Sequence, residues 1–351
     1  MTYPHDTDGL PPAPATRRRR NAKKRKGRMV LIVVAALVAL VTVVAAGYLF
    51  NLGRTFDSGT TKIEQAFPDE STRPKKTDGA MNILVMGSDS RGATGEDAAD
   101  GQATNQRADT LMLMHIPADR KNIYTMSLMR DLWVTIPGHG EAKINAALAL
   151  GGTPLMVQTV ESIFNQRIDH VAMIDFEGFK GLTDALGGVT VDVKVPFTSS
   201  SLDRQFTAGK NTLNGEEALV FVRERYAFTD GDYQRVRNQQ EFLKAIMQKS
   251  VNRQTLTNPV TINNMVSSLS PFISVDESLD AATVAGLAVE LKDVRPANTV
   301  MFTLPTNGIG TSSDGQSIVL TDPEAIQGIS DALAAGKLGD YVAANGLTKG
   351  N

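Results

Sequence analysis

Between Met29 and Phe50 the chain runs for 22 residues without a charge, MVLIVVAALVALVTVVAAGYLF. At about 1.5 Å per residue this makes a helix of about 33 Å, the thickness of a bilayer's hydrocarbon core. The run is longer than the apolar part of a cleaved export signal and ends in Tyr48 and Phe50, so it reads as a retained membrane helix. Residues 51–80 turn to Thr, Ser, Asp, Lys and Pro and read as a stalk without a core. From Asn82 short apolar runs alternate with turns. NILVMG (82–87), TLMLMHI (110–116), 122–128 and 132–136 read as strands, the first two as buried ones, and Pro137-Gly138 turns the chain. Residues 144–164 carry apolar side chains at helical spacing, 171–174 a short strand, and 176–186 a helix closed by Gly187-Gly188. The period-two run VTVDV (189–193) is a further strand, and 215–226 and 233–250 are helices joined by a loop. The pattern closes with helical 279–291, a strand at 299–304, a hairpin near Asp314-Gly315 and a helix over 323–335. Mixed elements without an internal repeat predict one domain over 81–340 in which helices cover a central sheet, followed by a tail, 341–351.

Charge changes this picture in one respect. The whole chain is nearly neutral, with 36 basic and 38 acidic residues, yet residues 1–28 hold nine bases and two acids, leaving 27 bases against 36 acids in the rest. The clusters RRRR and KKRK stand just before the apolar run. By the positive-inside rule they hold a cytoplasmic tail, 1–28, before a transmembrane helix, 29–50, and put the domain on the outside of the cell membrane. Nucleic-acid binding is the weaker account of those clusters, and no nucleic-acid partner is expected.

The chain has no cysteine, which excludes disulfides, thiolate nucleophiles and Cys-based metal sites. Its four histidines show no ligand spacing, and HExxH, GxSxG and Walker patterns are all missing. Four polar constellations remain. GSDSR (87–91) follows a strand directly, where open sheets bind ligands. In RADT (107–110), Arg107 and Asp109 face the same way in extended chain, and Asp109 could share a hard cation with Asp89 if their strands are neighbours. Arg130-Asp131 lies at another strand end. Last, VRERYAFTDGDYQRVRNQQEFL (222–243) gathers Arg223, Arg225, Arg235 and Arg237 within an otherwise acidic region, a focus suited to an anion. Arg235 and Gln239 share a helical face. Arg223 and Arg225 converge only if their helix has ended by then. A salt-bridged surface helix is the competing explanation, because Glu224, Asp230 and Asp232 are close by.

Together GSDSR, RADT, SLMRD (127–131), IPGHGEAKINAALALGG (136–152), IDHVAMIDFEGF (168–179), LGGVTVDV (186–193), LNGEEALVFVRER (213–225) and GDYQRVRNQQEFL (231–243) resemble the LytR-CpsA-Psr family. The resemblance covers about 80–340 and implies an α/β–α fold, a central mixed sheet flanked by helices with a long apolar pocket for a prenyl chain. It implies a phosphotransferase that moves a glycopolymer from a polyprenyl-pyrophosphate carrier to the C6 hydroxyl of N-acetylmuramic acid in peptidoglycan, outside Gram-positive bacteria. Carried over residue by residue, it gives Asp89 and Asp109 to magnesium (Mg2+). It puts Arg107, Arg130, Arg223, Arg225, Arg235 and Gln239 on the pyrophosphate, and adds Arg91 and Lys143 to that set. Arg107, Arg130 and Asp232 are the expected catalytic residues. Ala108 stands where the family pattern has serine. Two other functions fit the same site: hydrolysis of the lipid pyrophosphate, and a membrane-anchored glycan- or lipid-binding regulatory module.

Overall fold

The computed structural model describes residues 42–43, 46–76, 79–88, 108–250 and 258–349. The chain divides into Met1–Leu52 and Gly53–Asn351. In the first unit 42–43 and 46–52 are helical. Among the described residues no helix is long and apolar enough to cross a membrane, and most of the run from Met29 to Phe50 lies outside them.

In the second unit a seven-stranded mixed sheet carries the fold, with strand order β1-β12-β7-β2-β3-β4-β13. Its members are β1 (Thr61–Ile63), β2 (Met81–Ser88), β3 (Ala108–Ile116), β4 (Ile123–Leu128), β7 (His170–Asp175), β12 (Ile273–Asp276) and β13 (Thr299–Thr303). β2 lies parallel to β7 and antiparallel to β3. These central strands bury Leu84, Met86, Leu111, Leu113 and Val171, because a strand covered on both faces has no position left for water-facing polar residues. On one side pack α1 (Ala146–Phe164), α7 (Pro323–Ala334) and α8 (Leu338–Ala344), whose Val157, Val160, Ile329 and Val342 join the sheet's own core. α1 breaks at Gly151 and Gly152, the latter at φ 63°, and Pro154 restarts it, where its missing N–H leaves no bond unmade.

A second apolar cluster gathers the hairpin β8 (Val189–Val193) and β11 (Gly209–Leu213) with α3 (Gly215–Arg223) and α4 (Asp232–Ser250), around Phe206, Phe221 and Phe242. α2 (Phe176–Ala185) leans on it through Phe179. Small pairs complete the chain: β5 (Trp133–Ile136) with β6 (Gly140–Lys143), β9 (Phe197–Thr198) with β10 (Gln205–Phe206), and β14 (Thr306–Thr311) with β15 (Ser317–Thr321). Helices α5 (Pro259–Leu269) and α6 (Ala281–Glu290) flank β12.

Two sequence expectations are corrected here. Residues 51–80 are not without a core: β1 forms the sheet edge, Ile63 and Ala66 are buried, and the Arg73 side chain pairs inside the domain with Glu161. A three-residue strand shows no period of its own, so only its partner β12 makes it a strand. Residues 341–351 are likewise no tail as far as they are described, since Val342 and Leu347 are buried against the core.

Candidate functional site

β2, β4, β7 and β13 all end on one side of the sheet, and β3 begins there. Gly87 stands opposite Thr110 and Ser88 opposite Ala108, with a bulge between. β2 and β3 are therefore neighbours, as the shared-cation idea required. Asp109 is described and half-buried at the start of β3. Asp89, Arg91 and Arg107 lie outside the described residues.

Between the sheet and the helices α2, α3 and α4 lies a cavity of about 1270 Å³. It separates the two apolar clusters. Its body is lined by Val85, Met112, Met173, Phe179, Leu243 and Ile246, and its polar residues include Asp109, Arg130, Arg223, Arg225, Arg235 and Gln239. Empty apolar volume is costly unless something fills it, and an apolar cleft with a few converging polar groups is the usual form of a ligand site.

Each cation arrives for a local reason. Arg130 follows β4 in a turn closed by the Leu132 N–H bond to Met129 O, 2.9 Å. Arg223 ends α3, whose start is fixed by a capping box of Asn214 and Glu217. Glu224 is then extended, at φ −62° and ψ 131°. That break meets the condition for Arg223 and Arg225 to converge. The buried Glu224 carboxylate holds the turn, accepting from Ser200 N at 2.8 Å and from Arg225 N and Tyr226 N at 3.0 Å. Burial pushes the Glu224 carboxyl up, but the Ser200, Ala227 and Arg225 donors together hold it below its ordinary range. Arg223 lies over the Phe176 ring at 4.1 Å and Arg225 over the Tyr226 ring at 4.5 Å, contacts that fix a planar guanidinium. Arg235 and Gln239 share the cavity face of α4, and Gln239 Nε2 donates to Val222 O at 3.2 Å. Arg237, on the other side of α4, pairs with Asp230 and donates from Nε to Gln234 Oε1 at 2.9 Å.

The acids bind these cations into one network. Arg130 donates to Asp109 at 2.6 Å, and its Nε lies 3.6 Å from Asp131 and 3.8 Å from Asp232. Asp232 lies 3.1 Å from Arg235 and 3.8 Å from Arg225, while Asp109 lies 3.8 Å from Arg223. Lys143 pairs with Asp131 at 3.4 Å. It lines an adjoining cavity of about 800 Å³ together with Arg130, Arg225, Tyr226, Asp131 and Asp232. Lys143 therefore belongs to the neighbouring chamber, and Arg130 and Arg225 face both.

Asp131 and Asp232 interact as a carboxyl pair. Burial raises Asp232 most, and the neighbouring Asp131 adds to this against the pull of Arg235 and Arg130. Asp131 also feels burial, yet its hydrogen bond from Asp232 and the charges of Arg130 and Lys143 bring it down. Two like charges at one site separate their proton affinities in this way. Burial lowers Arg235, whereas for Arg130 the three acids outweigh burial and raise it. Arg130 Nε, Arg235 Nε and Asp232 Oδ1 are buried without a hydrogen-bond partner. The sequence points to Asp131 only as the neighbour of Arg130, gives Glu224 only to the competing surface ion pairs, and offers no site role for Phe176. The first had a signal in its place beside Arg130; the others are visible only in three dimensions. No group of three or more acids or histidines among the described residues could hold a metal.

A family model, the LytR_cpsA_psr family, matches residues 48–335. The chain is 27% identical to the cell wall biosynthesis protein LcpA of Corynebacterium glutamicum over 70% of its own length and 54% of that protein's. It is 31% identical to the polyisoprenyl-teichoic acid–peptidoglycan teichoic acid transferase TagU of Enterococcus faecalis, over 72% of this chain and 78% of that one. It thus spans about half of the first relative and about three-quarters of the second. Among solved structures, TagT bound to LI-WTA superposes with a TM-score of 0.61 at 25% identity, over 80% of this chain and 99% of that one. The fold is shared with a LytR-Csp2A-Psr enzyme from Actinomyces oris, with a TM-score of 0.62 at 22% identity over 79% of this chain and 96% of that one.

Proposed function

This chain belongs to the LytR-CpsA-Psr family, and from that premise we propose that it is a membrane-anchored phosphotransferase that moves a glycopolymer from a polyprenyl-pyrophosphate carrier to peptidoglycan. The observation that carries this reading is the apolar cavity of about 1270 Å³ with Arg130, Arg223, Arg225 and Arg235 among its polar lining. A long apolar chain and a doubly charged pyrophosphate together match that surface. Teichoic acid and peptidoglycan are in the name of the E. faecalis relative, and they set the class of donor and acceptor expected here.

The chemistry requires an acceptor hydroxyl oxygen to bond to the phosphorus that carries the glycan. The bridging P–O bond then breaks, and polyprenyl phosphate leaves with the electron pair. A pyrophosphate diester resists that attack because its oxygens are negative. Bidentate guanidinium groups offset that charge and hold the phosphates in line. Arg130 and Arg235 have the unused donors for this, and Arg223 and Arg225 bring forks already oriented by aromatic rings. Asp232 faces the adjoining cavity where an acceptor sugar would enter, and in its ionised form, with a proton affinity raised by burial, it would take up the hydroxyl proton. Asp109 offers the hard oxygen that magnesium prefers, and with Asp89 it would hold that ion, which would supply additional positive charge beside the phosphate. Arg91 and Arg107 complete the proposed phosphate contacts. The catalytic domain would lie outside the cell, tethered by the 29–50 helix with the N-terminus in the cytoplasm.

The test is to incubate the full chain with a lipid-pyrophosphate-linked oligosaccharide and a peptidoglycan oligomer and to weigh the products. A glycan-phosphate-peptidoglycan adduct is expected. Free glycan phosphate would make the protein a pyrophosphatase, and unchanged substrate a binding module; either result rejects transfer.

A further inference from the structure

Helix α6 has the composition of a buried element and the exposure of a surface one. Its sequence is AATVAGLAVE. Ala282, Val284, Ala285, Gly286, Ala288 and Val289 are all exposed, Val289 at 69% and Val284 at 37%. None of these six carries a charge or a hydrogen-bonding side chain. A water-facing helix normally places charged residues on that side, and one that is apolar all round is covered by something.

The position of the helix indicates what covers it. β12 runs antiparallel to β7, with Ile273 beside Ile174 and Val275 beside Ala172. Asp276, and α6 after it, therefore lie toward the end of the sheet opposite the arginines. Both ends of the helix are tied there. Asp57 Oδ1 accepts from Ala281 N at 2.8 Å, and a Cβ on Gly53 would come within 3.3 Å of the Ala281 Cβ. At the other end Glu290 pairs with Arg120, in the turn between β3 and β4, at 2.7 Å. Gly53 stands three residues after Phe50, where the charge-free run ends, a tether of at most about 10 Å. Gly53, beside the start of α6, is thus joined to the end of the charge-free run by three residues of chain.

We propose that the exposed face of α6 lies on the membrane surface, seated at the headgroup–acyl boundary of the bilayer that holds the 29–50 helix. Apolar helix faces bind there by burying their side chains a few ångströms into the boundary. This seating rests on the membrane-anchor reading above. It would fix the domain upright, with the arginine end of the cavity about one strand length, some 25 Å for the eight residues of β2, from the lipid. A second copy of the chain is the other occupant such a face admits, but the tether at Gly53 favours lipid.

The absence of cysteine makes the test direct. Val284→Cys, Val289→Cys, Phe50→Cys and Ser313→Cys, each in the full chain, are labelled with a bimane dye and reconstituted in vesicles of phosphatidylglycerol and phosphatidylethanolamine containing nitroxide-bearing lipid. Ser313 is exposed in the β14–β15 hairpin. Quenching at positions 284 and 289 should be at least threefold that at 313, with 50 quenched as well. If 50 is quenched while 284 and 289 match 313, the anchor stands and the seating of α6 is wrong. If 50 is not quenched, the anchor reading fails and this proposal with it. Positions 284 and 289 unquenched by lipid but cross-linking between copies would assign the face to a second chain and overturn the proposal.

Discussion

Two clusters of buried charge can be compared directly in this fold, and they are built to opposite ends. In the first, Arg73 and Glu161 are 5% and 2% exposed in their side chains. Arg73 donates to Glu161 Oε1 from Nε at 3.0 Å and from Nη2 at 2.6 Å, and also reaches Ile168 O. Glu161 accepts from Ile168 N at 2.9 Å, and the Phe67 ring covers the guanidinium at 4.4 Å. Neither side chain has a buried atom without a partner. The second cluster, around Arg130, Asp131, Asp232 and Arg235, sets like charges together and leaves Arg130 Nε, Arg235 Nε and Asp232 Oδ1, on ion-paired side chains, without a hydrogen-bond partner. A closed ion pair locks a segment in place. An open one keeps donor capacity and tuned proton affinity for a ligand.

The largest expected effect breaks the closed cluster. Glu161→Gln removes the buried counter-charge of Arg73 and leaves it only the exposed Glu70, 3.8 Å away, which should cost up to about 3–5 kcal/mol of stability. Denaturant midpoints would show it. The transfer rate per folded molecule should remain near wild type, because the pair lies outside both cavities by the arginines. A selective loss of rate with no loss of stability would invert the comparison.

Next comes the open cluster. Arg223→Lys, Arg225→Lys and Arg235→Lys keep the charge but lose the fork, so each should lower single-turnover transfer by about 2–4 kcal/mol, roughly thirty- to several-hundred-fold. Melting temperatures should move less for Arg223 and Arg225, which are partly exposed, than for the buried Arg235. Near wild-type rates for all three would mean that the cluster holds no anion.

How far the sequence revealed these two clusters differs for a physical reason. The open one was legible because its parts recur at local spacings: Arg235 and Gln239 four apart on one helix, Arg223 and Arg225 at a helix end, and Arg130 after an apolar strand. The Asp131–Asp232 contact was not, since residues so far apart in the chain meet only through the tertiary fold. The closed cluster was illegible for the same reason. Arg73 sits in a polar, proline-bearing stretch that looks like a linker, and only the partners it finds at Glu161 and Ile168 make it part of the core. Of the fold, strands β2 and β3 and helices α1, α2 and α4 were readable because each is long or strongly patterned. β1, β12 and α8 are short and borrow their order from neighbours. The cavity itself has no sequence signature, because its apolar lining residues read as ordinary core.

A third effect tests a buried group that belongs to neither cluster. His115 is buried in β3, with Nδ1 2.8 Å from Asn82 Oδ1, and burial brings its imidazole down from 6.5 to about 4. The unfolded chain therefore binds a proton between those values that the folded chain refuses. Stability is full above 6.5 and is lost as pH falls through 4. Between pH 7 and 4.5 the loss from this residue should be about 2–3 kcal/mol. His115→Gln should flatten the pH dependence of the melting temperature over that window, and an unchanged slope would assign the acid sensitivity to other groups.

The smallest expected effect makes the sharpest test, because it asks for silence. Arg237 shares α4 with Arg235 and carries the same charge, and two residues of helix turn it about 200° away. Its guanidinium is occupied by Asp230 and Gln234, outside the large cavity. An ion pair this exposed contributes about 0–1 kcal/mol to stability. Arg237→Lys should therefore shift the melting temperature slightly and the transfer rate not at all. Charge density alone cannot tell the two arginines apart; only orientation can. If Arg237→Lys slowed transfer as much as Arg235→Lys, the region would act through its general positive field and the open cluster would lose its claim to a specific geometry. If only Arg235→Lys is slow, the missing hydrogen-bond partners at the cavity mark the place where the anion binds.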